Sequence, residues 1–199
     1  MYLPKEFEIR DRHTIIDFIS KNSFGLLVTC SGIIEASHIP FIISDLEPLT
    51  LWGHLAVGND QIRGINGKEV LVIFGGPHAY ISPEWYAEPG QVPTWDYTTV
   101  HFYGILKLTT TKENTDMLEN MVSAYEHNSR LSGRIRERPY QEMIHGIVGF
   151  RIREKSVKAK FKLSQNHSVE DRKKVVASLR STNRAMEMEV ASLIESTIK

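Results

Sequence analysis

Six cations crowd the segment between Arg151 and Lys162: Arg151, Arg153, Lys155, Lys158, Lys160 and Lys162, with Glu154 the one acid among them. Arg151, Arg153 and Lys155 alternate with Phe150 and Ile152, whereas Lys158, Lys160 and Lys162 alternate with Val157, Ala159, Phe161 and Leu163. In a strand a one-residue shift exchanges the two faces, so a turn or bulge is expected near Glu154 to Ser156. Two basic strand faces can hold a phosphate or follow a nucleic-acid backbone. A lysine-studded edge that resists aggregation has the same composition. Ser164, Gln165 and Asn166 follow at once and suit polar contacts or a turn. A helix N-terminus attracts anions, but the one opening at Ser168 already carries Glu170 and Asp171, so Lys162 is the better source of positive charge.

The eight histidines offer a second set. His38, His54, His78 and His101 each stand at or beside a strand end, where they can converge. No His-Glu-x-x-His helix, Cys-x-x-Cys pair or close His pair with a third ligand is present, so no metal site is assigned. Hydrogen-bonded or surface histidines are the favoured reading. Ser82 is followed by proline, and no Gly-x-Ser-x-Gly elbow or phosphate-cradling Gly-x-Gly-x-x-Gly follows a strand. No catalytic residue is assigned.

Aromatic side chains concentrate between Gly75 and Gly104, which holds two of the three tryptophans, four of the seven tyrosines and four of the eight prolines. Flat rings with a polar handle, on backbone stiffened by proline, suit a binding loop. A core-lining loop uses the same residues.

The elements that must position these groups read as follows. Asp11 caps a first helix through about Asn22. Phe24 to Thr29 is a strand, Ser31-Gly32 a turn, and Ile33 to Ile43 the hairpin partner. Thr50 to Gly53 is a strand leading into a short helix, and Val70 to Phe74 a strand entering the aromatic loop. Val100 to Thr110 is a strand, and Lys112 to His127 a helix with Met117, Met121 and Tyr125 on one face. Asn128 to Pro139 is an exposed basic loop bearing Arg130, Arg134, Arg136 and Arg138. Two strands, Ile147 to Ile152 and Val157 to Leu163, precede a long helix opened by Ser168, with Val175, Leu179, Met186, Val190 and Leu193 in one stripe. Hairpin signals without regular βα alternation give a mainly β antiparallel barrel with α additions. Residues 1–167 form the barrel domain, and 168–199 a C-terminal helix.

The chain has 199 residues, 24 basic and 24 acidic, so no global pull on nucleic acid or an anionic membrane is expected. It lacks an 18-residue apolar run. A single cysteine, Cys30, and an N-terminus without an apolar leader segment point to the cytoplasm.

Taken in order, SHIPF (Ser37 to Phe41), GHLA (Gly53 to Ala56), GPHAYISPEWY (Gly76 to Tyr86), VPTWDY (Val92 to Tyr97), VHFYG (Val100 to Gly104) and KLSQN (Lys162 to Asn166) resemble the PaiB family. These are bacterial proteins described as negative regulators of protease synthesis and sporulation and as FMN-binding negative transcriptional regulators. The resemblance implies an FMN-binding split β-barrel, a homodimer with flavin between subunits and the C-terminal helix packed on the barrel or across the dimer, and a repressor. Carried onto this chain, it places Ser37 and His38 on ribityl or phosphate oxygens and His54 near the phosphate. Thr94 and Trp95 flank the isoalloxazine, and Lys162 supplies charge. Two positions depart from the family: Val57-Gly58 follow His-Leu-Ala where a basic residue is common, and Asp96 replaces the usual asparagine. A carboxylate beside the flavin is expected to disfavour its reduced, anionic form.

No helix-turn-helix is read between Lys112 and Pro139. The candidate DNA contacts are therefore Arg134, Arg136, Arg138, Arg151, Arg153, Lys158 and Lys160. Other split barrels act as flavin-dependent oxidoreductases, with His38 and His101 the residues to test, or handle haem, with His38, His54 or His101 as axial ligand.

Overall fold

The computed structural model describes residues 1–88, 90–126, 131 and 133–198. Local signals set most element starts. Asp11 accepts the Thr14 N–H at 2.8 Å and so opens α1 (Arg12–Lys21). Thr110 and Glu113 form a reciprocal capping box ahead of α2 (Thr111–Tyr125). The Ser168 hydroxyl accepts the Asp171 N–H at 3.1 Å at the head of α4 (Val169–Ser181). Among the described residues the strands are β1 (Glu8–Ile9), β2 (Phe24–Cys30), β3 (Ile34–Pro40), β4 (Ile42–Leu46), β5 (Leu49–Ala56), β6 (Glu69–Ile81), β7 (Thr94–Leu108) and β8 (Ile147–Lys162). Their hydrogen-bonded order is β3-β2-β6-β7-β8-β5-β4, with β1 pairing β8. Gly32, at φ 100°, makes the β2–β3 turn, a conformation that glycine adopts without strain.

Three expectations are corrected. The stretch from Gly75 to Gly104 is mostly strand: β6 continues to Ile81 and β7 starts at Thr94. Ala79 and Ile81 are 2% and 0% exposed and Tyr80 45%, the inward–outward alternation of a sheet. Of the turn or bulge expected near Glu154 to Ser156, the turn is excluded, because β8 runs unbroken. It pairs with β5 up to Arg153 and with β1 from Ala159, so the strand changes partner where its inward face changes. The long C-terminal helix is two helices, α4 and α5 (Ala185–Ser196), broken where Asn183 takes φ 54°. In addition, α3 (Arg138–Ile144) begins within the last two residues of the basic loop, with Pro139 in its first turn. The short helix expected after His54 is a 3-10 turn, Asp60–Ile62.

The chain forms two compact units. The first comprises Met1–Phe18, Gly75–Val100 and Lys158–Lys199. Its core sets Ala79, Ile81, Tyr86 and Leu163 against Val175, Leu179, Val190 and Ile194 of α4 and α5. The second comprises Ile19–Phe74 and His101–Val157. Its core stacks Phe74 and Phe150 around Phe41, at ring distances of 5.6 and 6.4 Å. Burying each such ring is worth about 1.5–3 kcal/mol. Under α2, Met117 and Met121 pack on Ile42 and Trp52. No described helix is long and apolar enough to cross a membrane.

Candidate functional site

In the first unit, alternation along β7 turns Trp95 outward, 54% exposed, and Asp96 inward, 0% exposed. The Trp95 indole has two ring neighbours on β6: His78 at 6.2 Å and Tyr80 at 6.0 Å, edge-on. Beneath it, the Lys162 ammonium donates to Thr94 Oγ1 at 2.9 Å, to the Trp95 carbonyl at 2.9 Å and to Asp96 Oδ1 at 3.0 Å. Those three bonds use all three ammonium donors. Ser164, at φ 58°, completes the cluster by donating to Asp96 Oδ2 at 2.6 Å.

The structure thus brings Thr94, Trp95 and Lys162 together, with Lys162 holding the backbone under the indole. Asp96 is buried and paired with Lys162 and Ser164. Gly76 lies where an added Cβ would strike Thr98 and meet the Phe18 ring at 2.7 Å, which explains the glycine opening GPHAYISPEWY. The loop after β6 is tied to α4 by Asp171, 2% exposed, which accepts the Ala87 N–H at 2.7 Å. Burial pushes the Asp171 carboxyl up, but hydrogen bonds from Ala87 and Ser168 outweigh it, and its pKa lies below the ordinary carboxylate value.

The second unit holds the other proposed cofactor residues. Ser37 Oγ accepts from Asn59 Nδ2 at 3.1 Å, while Asn59 Oδ1 accepts the Gln61 N–H at 2.9 Å. The neighbouring His38 is exposed and stacks on Phe24 at 6.0 Å. His54 shares Trp52's face of β5, the face covered by α2. Its Nδ1 is buried without a hydrogen-bond partner among the described residues, and burial pushes its pKa down, favouring the neutral ring.

Most cations of the proposed DNA surface are engaged. Arg134 forms a bidentate pair with Glu137, donating from Nε to Oε1 and from a terminal nitrogen to Oε2, each at 3.0 Å. Arg136 meets Asp116 and Glu119, each at 2.8 Å, and Arg138 meets Glu142 at 3.1 Å. Arg151 bridges to Glu113 at 2.9 Å and lies over the Trp52 ring. Lys160 is 7% exposed, with Tyr97, Tyr2 and Phe7 around its ammonium at 5.3, 5.6 and 5.9 Å. It is caged by rings and does not present charge to a solvent-borne partner. Arg153 and Lys158 are exposed, and Arg130 lies outside the described residues.

The residues that sequence reasoning missed are Asp96 as an ion-pair partner, Ser164 as its donor, and His78 and Tyr80 as neighbours of Trp95. The signal for the first was the Asp96 departure itself: an acid in a polar-neutral position calls for a nearby cation. Among the described residues no group of three His, Cys, Asp or Glu could hold a metal.

Residues 1–156 match the family model described as "Putative FMN-binding domain". The chain is 35% identical over 205 residues to Protease synthase and sporulation protein PAI 2 of Bacillus subtilis, covering 100% of this chain and 99% of that one. Among solved structures, the flavocytochrome Anf3 of Azotobacter vinelandii aligns at TM-score 0.61 and 12% identity, over 78% of this chain and 69% of its own. The FAD and haem binding protein of Mycobacterium smegmatis aligns at TM-score 0.60 and 13% identity, over 78% and 73%. At such identities the likeness is one of fold: a mainly β split barrel with helical additions.

Proposed function

Because the chain belongs to the PaiB family of FMN-binding-domain proteins, we propose that it is a flavin-binding negative regulator of transcription that works as a homodimer. The observation that carries the flavin reading is the exposed Trp95 indole, on backbone pinned by Lys162 and flanked by His78 and Tyr80. An exposed indole with aromatic neighbours gives a planar ring an apolar face to lie on. Trp95 and Thr94 of the first unit hold the ring system. Bound flavin supplies reversible electron transfer; the chain supplies binding and orientation.

The phosphate end is the weaker half of this fit. Lys162 has no donor left for it, and Val57-Gly58 stand where the family often has a cation. FMN and riboflavin are therefore expected to bind within a few-fold of each other. The test is fluorescence titration with both flavins, paired with melting curves. Absence of quenching and of any rise in Tm with either would remove the cofactor.

Regulation by direct DNA contact would rest on few cations. The short turn between α4 and α5 gives a helix-turn-helix outline, but Ala185–Ser196 carries Glu187, Glu189 and Glu195 and no lysine or arginine. An acidic second helix repels phosphate, which favours the exposed Arg153 as a contact, or an indirect route. A gel shift that weakens steeply with salt supports direct contact; no shift on promoter fragments supports the indirect route. An absorption spectrum of freshly purified protein separates flavin from haem.

A further inference from the structure

We infer that the second unit carries a ligand site of its own, for a small organic carboxylate with an apolar body, in the cleft between the end of α1, β4, β5 and α2. The cleft measures about 560 Å³, within the range of small-molecule pockets. None of the residues assigned to flavin lines it. Phe41, Ile42, Ile43, Trp52 and Ala124 give it apolar walls.

Its polar groups are unbalanced in one direction. Two acceptors are already served: Asp45 Oδ2 takes the Ser44 hydroxyl at 2.9 Å, and the Phe41 carbonyl takes the Tyr125 hydroxyl at 3.0 Å. Tyr125 also lies 2.8 Å from Ser23 Oγ. Two donors are not served. Trp52 Nε1, on a side chain 8% exposed, and Arg151 Nε are both buried without an acceptor among the described residues. They belong to one neighbourhood, since the Arg151 guanidinium carbon lies 4.9 Å from the centre of the Trp52 ring. Arg151 is the one lysine or arginine lining the cleft, and Glu113 engages only its terminal nitrogen, at 2.9 Å.

A buried donor without an acceptor is costly, and natural structures pair or hydrate nearly all of them. Two adjacent donors, one of them cationic, call for an anionic oxygen, and guanidinium groups match carboxylates in geometry. A phosphate dianion would meet one half-neutralised cation and the Asp45 carboxylate; a monocarboxylate with an apolar body suits both the charge and the walls.

The test uses the full chain, labelled with nitrogen-15, and sodium benzoate as probe. The three indole N–H signals are followed by NMR, with Trp52 identified by its loss in Trp52→Phe. The expected result is a saturable downfield shift of the Trp52 signal with a Kd of about millimolar or tighter, and little change at Trp85 and Trp95. Arg151→Lys, which lacks Nε, should weaken binding tenfold or more. Ala124→Phe, which fills the cleft and leaves both donors in place, should abolish it with the indole dispersion retained. Absence of a saturable Trp52 shift in the unmodified protein overturns the proposal, whatever the variants do. So does an equal response to neutral benzamide, which would assign the donors to any acceptor, or binding that survives Ala124→Phe.

Discussion

The Lys162–Asp96 pair makes an asymmetric prediction. Asp96 is fully buried, whereas the Lys162 side chain keeps 21% of its surface in water. Lys162→Met leaves a buried carboxylate with the Ser164 hydroxyl as its remaining side-chain donor, and stranding a buried charge costs about 3–5 kcal/mol. Asp96→Asn leaves Lys162 with Thr94 Oγ1, the Trp95 carbonyl and the new amide oxygen, so the loss is that of one charge-assisted bond, about 1.5–3 kcal/mol. At ~2–4 °C per kcal/mol for a chain of this size, Lys162→Met should lower Tm by roughly 6–20 °C. The double variant strands neither charge and should cost less than the sum of the singles, with a coupling of about 0.5–3 kcal/mol. Urea unfolding followed by Trp85 and Trp95 emission, in a Trp52→Phe background, reports on this unit alone. The reasoning fails if Asp96→Asn costs more than Lys162→Met, or if the single losses simply add.

Three further outcomes follow from the same geometry. Trp95→Ala should abolish flavin quenching while moving Tm by only a few degrees, because the indole is exposed; a titration beside a melting curve checks both. His54 has a folded pKa below its ordinary value, so its contribution to stability is complete above about pH 6.5 and falls as pH drops through the folded pKa, where the unfolded chain binds the proton more tightly. The stability difference between the unmodified protein and His54→Gln should therefore shrink or reverse on going from pH 7.5 to 5; a flat difference refutes it. Asp171 also titrates low, and its contribution is present above the ordinary carboxylate pKa and lost as pH falls through the folded value. Asp171→Asn should cost about 1.5–3 kcal/mol at pH 7, where the charged acceptor for Ala87 is lost, and little at pH 2, as read by urea unfolding at the two pH values.

Much of the fold could be read locally. Asp11 and Ser168 each meet an N–H three residues on, and the motif order from Ser37 to Asn166 carries the family. The reading failed where punctuation residues sat inside regular structure. Gly75, Gly76 and Pro77 signal a loop, yet the alternation of Ala79, Tyr80 and Ile81 shows the strand running on through them. It failed also where charge depends on partners distant in sequence. Arg136 looks like a free cation until Asp116 and Glu119 reach it, and Lys162 looks like a phosphate ligand until β7 brings up Asp96. Lys160 reads as one more surface lysine because nothing in the spacing reveals the three rings around it.

The Lys162 tripod also has a thermodynamic consequence. It fastens three successive residues, Thr94, Trp95 and Asp96, from below. The indole above them keeps only its two side-chain torsions, so a planar ligand arriving there has little backbone order left to impose. Binding at that surface should show a small entropic penalty and a negative heat-capacity change set by the apolar area covered. Cutting the tripod should leave the heat-capacity change near its original value and make the entropy of binding less favourable, a separation that calorimetry on the two proteins can resolve.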